Sequence, residues 1–339
     1  AMSPNHSVPV GFCGVSSKMA ELDILNYQLY ITGGTLITVF NLALGLIIIC
    51  HKSIRQQKEY LIYAGCMFFD VIFGLTYLSS GAYRLKLANE NTYYPMTTKY
   101  GCMMTVHNFF FVYITPGAGV LVFVTAIDRF IGVFFPTKYM LLRTRYVYCL
   151  LFLIFTIPLF AIPVAVFTSM PYNVACDQHA ACILSQAITF QVYLGLRLIR
   201  IIGSLACVFI YVPISIKIFI NVSRASSVAY MATSQNRRLI RMTITVILVT
   251  VNTICLYVVP DIILLFNPLT PSFAFYLMNM CKGLVNIVIF LVTQKTLRKA
   301  IVQSMMAKGA KRSRLVSVTN NHVDQKTITV TSTRKFTMR

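Results

Sequence analysis

Charged residues stand within or at the ends of long apolar runs, among them Asp70, Asp128, Arg129, Arg197, Arg200, Asp261 and Lys282. A charge in a nonpolar medium is costly, so each is a functional candidate by default. Asp128-Arg129 closes the apolar run that begins near Phe109. Phe134-Phe135-Pro136 and Lys138-Tyr139 follow it. An acid–base pair there is either punctuation or a switch. Arg197 and Arg200 lie one helical turn apart, and guanidinium forks suit carboxylate or phosphate. Asp261 either belongs to that anion site or pairs with Arg200, and the arginines otherwise reach outer lipid headgroups. Lys282 precedes Asn286 by four residues, so both share one helical face. This is chemistry of ion pairing and switching. No HExxH, GxSxG or paired-acid motif is evident, and the histidines and cysteines lack zinc spacing, so neither an enzyme nor a metal or cofactor site is expected.

The elements that must position these residues are membrane helices. The chain has 339 residues, 57% hydrophobic and 12% charged, about half the charge of a soluble domain. Spanning ~30 Å of hydrocarbon takes about 20 apolar residues. Seven stretches qualify: 24–50, 60–82, 103–127, 146–169, 187–220, 239–266 and 273–293. Neither barrel-like alternation nor an internal repeat is present. The expected fold is an all-α membrane protein, a seven-transmembrane helix bundle over residues 24–294. Lys and Arg gather in cytoplasmic loops. They crowd after the first, third, fifth and seventh stretches, at Lys52, Arg55 and Lys58, at Lys138, Arg143 and Arg145, at Lys217, Arg224, Arg237, Arg238 and Arg241, and along the tail. The opposite side has Lys18, Arg84, Lys86 and Lys99. The N-terminus, residues 1–23, is therefore expected outside, and the Asn5-His6-Ser7 sequon marks Asn5 for glycosylation there. With no cleavable signal peptide visible, the first span is expected to act as its own insertion signal.

The net charge of +21 is mostly this asymmetry plus the tail. It implies anionic lipid headgroups rather than nucleic acid. Residues 295–307 read as a short amphipathic helix on the inner leaflet, its apolar side formed by Leu297, Ala300, Ile301 and Met305. Residues 308–339 read as a disordered cytoplasmic tail, where phosphorylation at Ser317, Thr319 or Thr331 would recruit an arrestin. Cys13, Cys102, Cys176 and Cys182 fall on the oxidising side and allow three pairings. Cys102–Cys182 is favoured, with Cys102–Cys176 its rival.

Asp128-Arg129-Phe130, Pro136 seven residues beyond the arginine, and Tyr139 resemble the end of helix 3 and the second inner loop of rhodopsin-like (class A) G-protein-coupled receptors. Asp70 resembles that family's helix 2 aspartate, and Asn41 the helix 1 asparagine that bonds it. Pro213 and Pro260 resemble its two kink prolines, and Asn286-Ile287-Val288-Ile289-Phe290 its NPxxY motif. The chain departs from the pattern in having no Trp, with Tyr257 or Val258 near the level of the helix 6 tryptophan. Helix 7 lacks the motif proline, and Cys102 lies 27 residues before Arg129, about two more than in the family. This form, with DRF, FFP and a short third inner loop, is similar to the nematode serpentine chemoreceptors, the Srbc, Srsx and Srx groups being nearest.

The resemblance implies a chemosensory receptor of the plasma membrane, and of a sensory cilium, which binds a small molecule outside and switches on a heterotrimeric G protein inside. Arg129, clamped by Asp128, would hold the inner face closed. Phe135, Pro136, Tyr139, Arg143, Arg237 and Arg238 would meet the G protein. Lys282 falls at the family's sodium-pocket level, so it is expected to pair with Asp70; a retinal Schiff base is disfavoured, because the opsin lysine lies six residues before the helix 7 asparagine. The ligand wall would include His107, Phe110, Phe111, Tyr193, Arg197, Arg200, Tyr257, Asp261 and Tyr276, a lining for a small amphipathic, acidic molecule. The alternative is a transporter or ligand-gated channel using the intramembrane charges, although no inverted repeat is visible.

Overall fold

The computed structural model describes residues 14–18, 21–90, 93–224, 234–266, 272–294 and 298. The protein is an all-α membrane protein built on seven helices long and apolar enough to span a bilayer. They are α1 (Glu21–Cys50), α2 (Lys58–Glu90), α3 (Val106–Phe134), α4 (Thr144–Tyr172), α5 (Phe190–Arg224), α6 (Ser234–Thr253, then Ile254–Val258 and Val259–Phe266) and α7 (Ser272–Thr293). Residues 1–293 form one unit. Gln294 and Arg298 belong to a second, residues 294–339. Asn5, Cys13, the expected amphipathic helix and the tail phosphorylation sites lie outside the described residues, as do the side chains of Arg237 and Arg238.

Helices α1 and α2 pack along their length. Glycine permits this: a Cβ on Gly34 would sit 2.6 Å from the Leu78 nitrogen, and one on Gly74 would meet Thr38. Helix α3 is central and α5 crosses it closely, because a Cβ on Gly203 would lie 2.7 Å from the Gly119 carbonyl oxygen. The core runs through Ile37, Phe69, Phe73, Tyr77, Phe111, Ile114 and Tyr257. Helix α4 is the least buried span, with Phe152, Phe160 and Phe167 exposed. In water that face would be unstable; in lipid it is ordinary.

The observed elements differ from the apolar stretches in three ways. First, α2 runs to Glu90 and α3 to Phe134, beyond their apolar runs, because a helix continues as long as its backbone bonds do. Arg84, read as an outer-loop charge, is therefore a buried residue of α2. Second, α4 is interrupted at Ile157–Phe160 by a tighter turn containing Pro158. Proline removes a helix donor. Third, α6 passes through a π-helical turn, Ile254–Val258, just before Pro260. Helix α5, by contrast, runs unbroken through Pro213.

One end of the bundle carries a small antiparallel sheet that hydropathy does not signal. Strands β1 (Gly14–Lys18), β2 (Tyr93–Thr97) and β3 (Gln178–His179) pair in the order β1-β2-β3, with Gly14 opposite Met96 and Met96 opposite His179. A Cys102–Cys182 disulfide ties the α4–α5 connection to the helix Lys99–Met103, just ahead of α3. Because Cys102 bonds Cys182, the rival pairing with Cys176 does not form; Cys176 is itself disulfide-bonded.

Candidate functional site

At the end of α3 far from the sheet, Phe135-Pro136 stops the helix. The residue before proline is disfavoured in helical conformation, and Phe135 adopts φ −127°, ψ 59°. Pro136 then starts a new helix, Pro136–Leu141, at the position where its missing N–H is harmless. The reversal brings Tyr139 back onto α3. Arg129 and Asp128 form a direct ion pair, and the Tyr139 hydroxyl lies 3.4 Å from each. The relative exposures are 2% for Arg129 and 0% for Asp128. An arginine present only for topology would reach water; this one does not. Burial raises the pKa of the Tyr139 phenol, so Tyr139 stays a neutral hydrogen-bond partner. Tyr139, expected to face the G protein, is buried, because its ring closes over the charge pair. Phe135, Pro136 and Arg143 remain exposed.

Lys58, at the start of α2, holds this reversal. Its ammonium donates to the Tyr139 and Leu142 carbonyls, each at 2.6 Å, and sits 4.9 Å from the Tyr139 ring centroid. It satisfies the Leu142 carbonyl and gives the Tyr139 carbonyl a second donor beside the Leu142 N–H, which lies 3.3 Å away. The sequence shows Lys58 only as one of several loop cations.

Midway along the bundle, Lys282 Nζ lies 3.5 Å from Asp70 Oδ1, and both side chains are 4% exposed. The expected Asn41–Asp70 bond is absent among the described residues. Asn41 instead donates to the Ile37 carbonyl at 2.9 Å, within its own helix. Asn286 accepts from Asn252 at 2.9 Å, and Asn252 also donates to the Lys282 carbonyl. Asn252 escaped the sequence reading, although a polar residue deep in an apolar span was the available signal. Asp70, Lys282, Arg129, Cys66, Asn286 and Phe290 share one cavity of about 540 Å³ including its open mouth.

Nearer the sheet lies a second cavity, about 410 Å³ including its open mouth. Phe111, Tyr193, Arg197, Arg200, Tyr257, Asp261 and Tyr276 line it, as do Tyr77, Phe275 and Asn279. His107 and Phe110 do not. His107 lies one turn above Phe111 and is taken up under the α4–α5 connection, its Nε2 3.3 Å from the Cys182 carbonyl oxygen; Phe110 is a neighbour of Phe111 turned by about 100° around the helix. Arg200 pairs directly with Asp261 and lies 4.0 Å from the Tyr257 ring centroid. The Tyr257 ring also stands 5.7 Å from Lys282 Nζ. One aromatic ring thus touches the cations of both cavities.

The cap over this second cavity is built from buried polar groups. Cys182 has a positive φ of 49°, uncommon for a residue other than glycine, and its carbonyl lies among His107, Asn108 and Arg84. Arg84 donates to the Ala181 carbonyl at 2.8 Å, and Asn108 donates to the carbonyls of Cys102 and Cys182. No protein-family model matches the chain, and no curated protein matches it.

Proposed function

We propose that this chain is a G-protein-coupled chemosensory receptor, similar in kind to rhodopsin-like receptors and to the nematode serpentine chemoreceptors. It takes a small extracellular molecule into the cavity beside Tyr193 and Tyr276 and activates a heterotrimeric G protein at the opposite face. The observation that carries this reading is Arg129: a fully charged side chain, buried against Asp128 and Tyr139 where α3 ends. Such a pair costs desolvation energy, and a topological charge has no need of it. As a latch it has a purpose, because opening it exposes a cation to a partner. The sheet-bearing end faces outside and the Lys58 end faces the cytoplasm, as the Lys and Arg distribution favours, in the plasma membrane.

A ligand shifts this switch only by binding the open arrangement more tightly than the closed one. Tyr257 is placed to transmit the difference. It lines the ligand cavity, touches Arg200 and Lys282, and sits in the π-helical turn ahead of Pro260, a natural flexing point. Bending α6 there moves its inner half away from Arg129. The test is G-protein activation in a heterologous cell, with the intact chain and Arg129→Ala at matched surface expression, against small organic acids and volatile odorants. Ligand-evoked activation lost in Arg129→Ala supports the reading. Ligand-evoked current or substrate flux, without G-protein activity and unchanged by the substitution, would overturn it in favour of a channel or transporter.

A further inference from the structure

Two guanidinium groups and one carboxylate line the outer cavity, all shielded from water: the side chains of Arg197, Arg200 and Asp261 are 8%, 5% and 1% exposed. Arg200 and Asp261 are direct partners. Arg197 Nε is 4.0 Å from Asp261 Oδ1, beyond hydrogen-bond reach, and its guanidinium lies 4.3 Å from the Tyr193 ring centroid. A cation–π contact offsets only a part of what burying an ion costs. Among the described lining residues the cavity therefore carries one positive charge in excess. The same lining includes a residue with an orphaned acceptor. Asn279 is buried, and its Oδ1 has no hydrogen-bond partner. Apolar rings of Phe111, Tyr257 and Tyr276 complete the wall.

We propose that the outer cavity is a site for small monocarboxylates that also carry a hydrogen-bond donor. The carboxylate takes Arg197, the donor reaches Asn279 Oδ1, and the apolar body packs on the aromatic wall. One excess positive charge selects a monoanion. A cation is repelled, a neutral molecule leaves Arg197 uncompensated, and a dianion must compete with Asp261 for Arg200. This rests on the receptor reading only in taking the cavity as the ligand's place. The same charge chemistry could come from a free acid or from an anionic lipid headgroup, and the free acid is the proposed source because the carboxylate must sit deep beside Arg197 with a donor within reach of Asn279.

The test uses the purified full chain in phosphatidylcholine nanodiscs without G protein. Without ligand, Arg197→Gln is expected to leave Tm unchanged or raise it, while Arg200→Gln and Asp261→Asn lower it. Hydroxylated monocarboxylates, among them 4-hydroxyphenylacetate and 8-hydroxyoctanoate, are then titrated beside their primary amides. At least one acid is expected to raise Tm more than its amide does, and to lose at least tenfold in affinity in Arg197→Gln. Asn279→Leu should weaken the hydroxylated acid and spare its parent lacking the hydroxyl. The proposal falls if Arg197→Gln destabilises as much as Arg200→Gln, if amides protect as well as acids, or if none of the acids protects. It falls equally if phosphatidylglycerol nanodiscs raise Tm through Arg197 and the acids do not. Acid binding without any G-protein activation would count against the receptor reading alone, and G-protein activation by neutral or cationic molecules alone would count against this proposal alone.

Discussion

Lys282 and Asp70 are each nearly without contact to solvent, so each supplies the other's countercharge. Removing one partner strands a buried ion, at a cost of ~3–5 kcal/mol, whereas replacing both is far milder. Lys282→Met and Asp70→Asn are each expected to lower Tm by several degrees, and the double variant to recover most of that loss. A thermal-shift double-mutant cycle measures the coupling; strict additivity would show that the two do not act as a pair. Tyr139 makes a subtler case. Its hydroxyl is 3.4 Å from both Asp128 and Arg129, so Tyr139→Phe removes a polar neighbour and keeps the ring. The expected result is a several-fold rise in ligand-free G-protein activation with little change in Tm. Unaltered basal signalling would mean that the hydroxyl plays no part in the latch. Asp70 and Lys282 stood out by type, as charges in apolar runs, whereas their pairing and the place of Tyr139 followed from the resemblance to class A receptors. Arg84 did not stand out, because its partners, Ala181 and Cys182, lie 97 and 98 residues away and a guanidinium near a loop reads equally well as topology.

At the scale of elements, hydropathy found all seven spans but not their ends. Apolar runs report where lipid stops, whereas helices stop where the backbone is interrupted. At Phe135-Pro136 a helix does end at a proline, whereas α3 continues through Pro116 and α5 through Pro213, so proline alone does not mark an end. The sheet was illegible: its longest strand has five residues, and its pairing joins segments that only the folded bundle brings together. The π-helical turn of α6 was illegible too, because nothing in Ile-Cys-Leu-Tyr-Val distinguishes it from ordinary helix. The reversal after α3 has a clear dependence on another element. Lys58, on α2, donates to two carbonyls at the end of Pro136–Leu141. Lys58→Met leaves the Leu142 carbonyl without this donor and the Tyr139 carbonyl with only the Leu142 N–H, while keeping the aliphatic stem. The substitution is expected to speed proteolysis between Leu141 and Arg145 and to reduce G-protein activation, with the outer cavity's affinity for its ligand within about twofold, a tolerance near 0.4 kcal/mol. An equal loss at both ends would show that Lys58 supports the whole bundle.

For the whole molecule, the two ends have different constructions. The sheet end is covalently tied, carries the Arg84–Asn108–Cys182 network and covers a cavity with an excess positive charge. The opposite end is a buried charge pair under a single tyrosine, latched by one lysine. A switch needs that contrast: one end rigid enough to recognise a ligand, the other held by a few contacts whose loss opens it. The contrast has functional meaning only if the ends face opposite compartments in the order that the Lys and Arg distribution dictates. Val174 is 90% exposed, in the α4–α5 connection at the sheet end, and Arg145 is exposed at the other. A membrane-impermeant maleimide applied to intact cells is expected to label Val174→Cys well above the parent chain, and Arg145→Cys only after permeabilisation. The reverse pattern would place the outer cavity in the cytoplasm. Arg129 would then face away from any G protein, and the receptor reading would fail however well each local site was described.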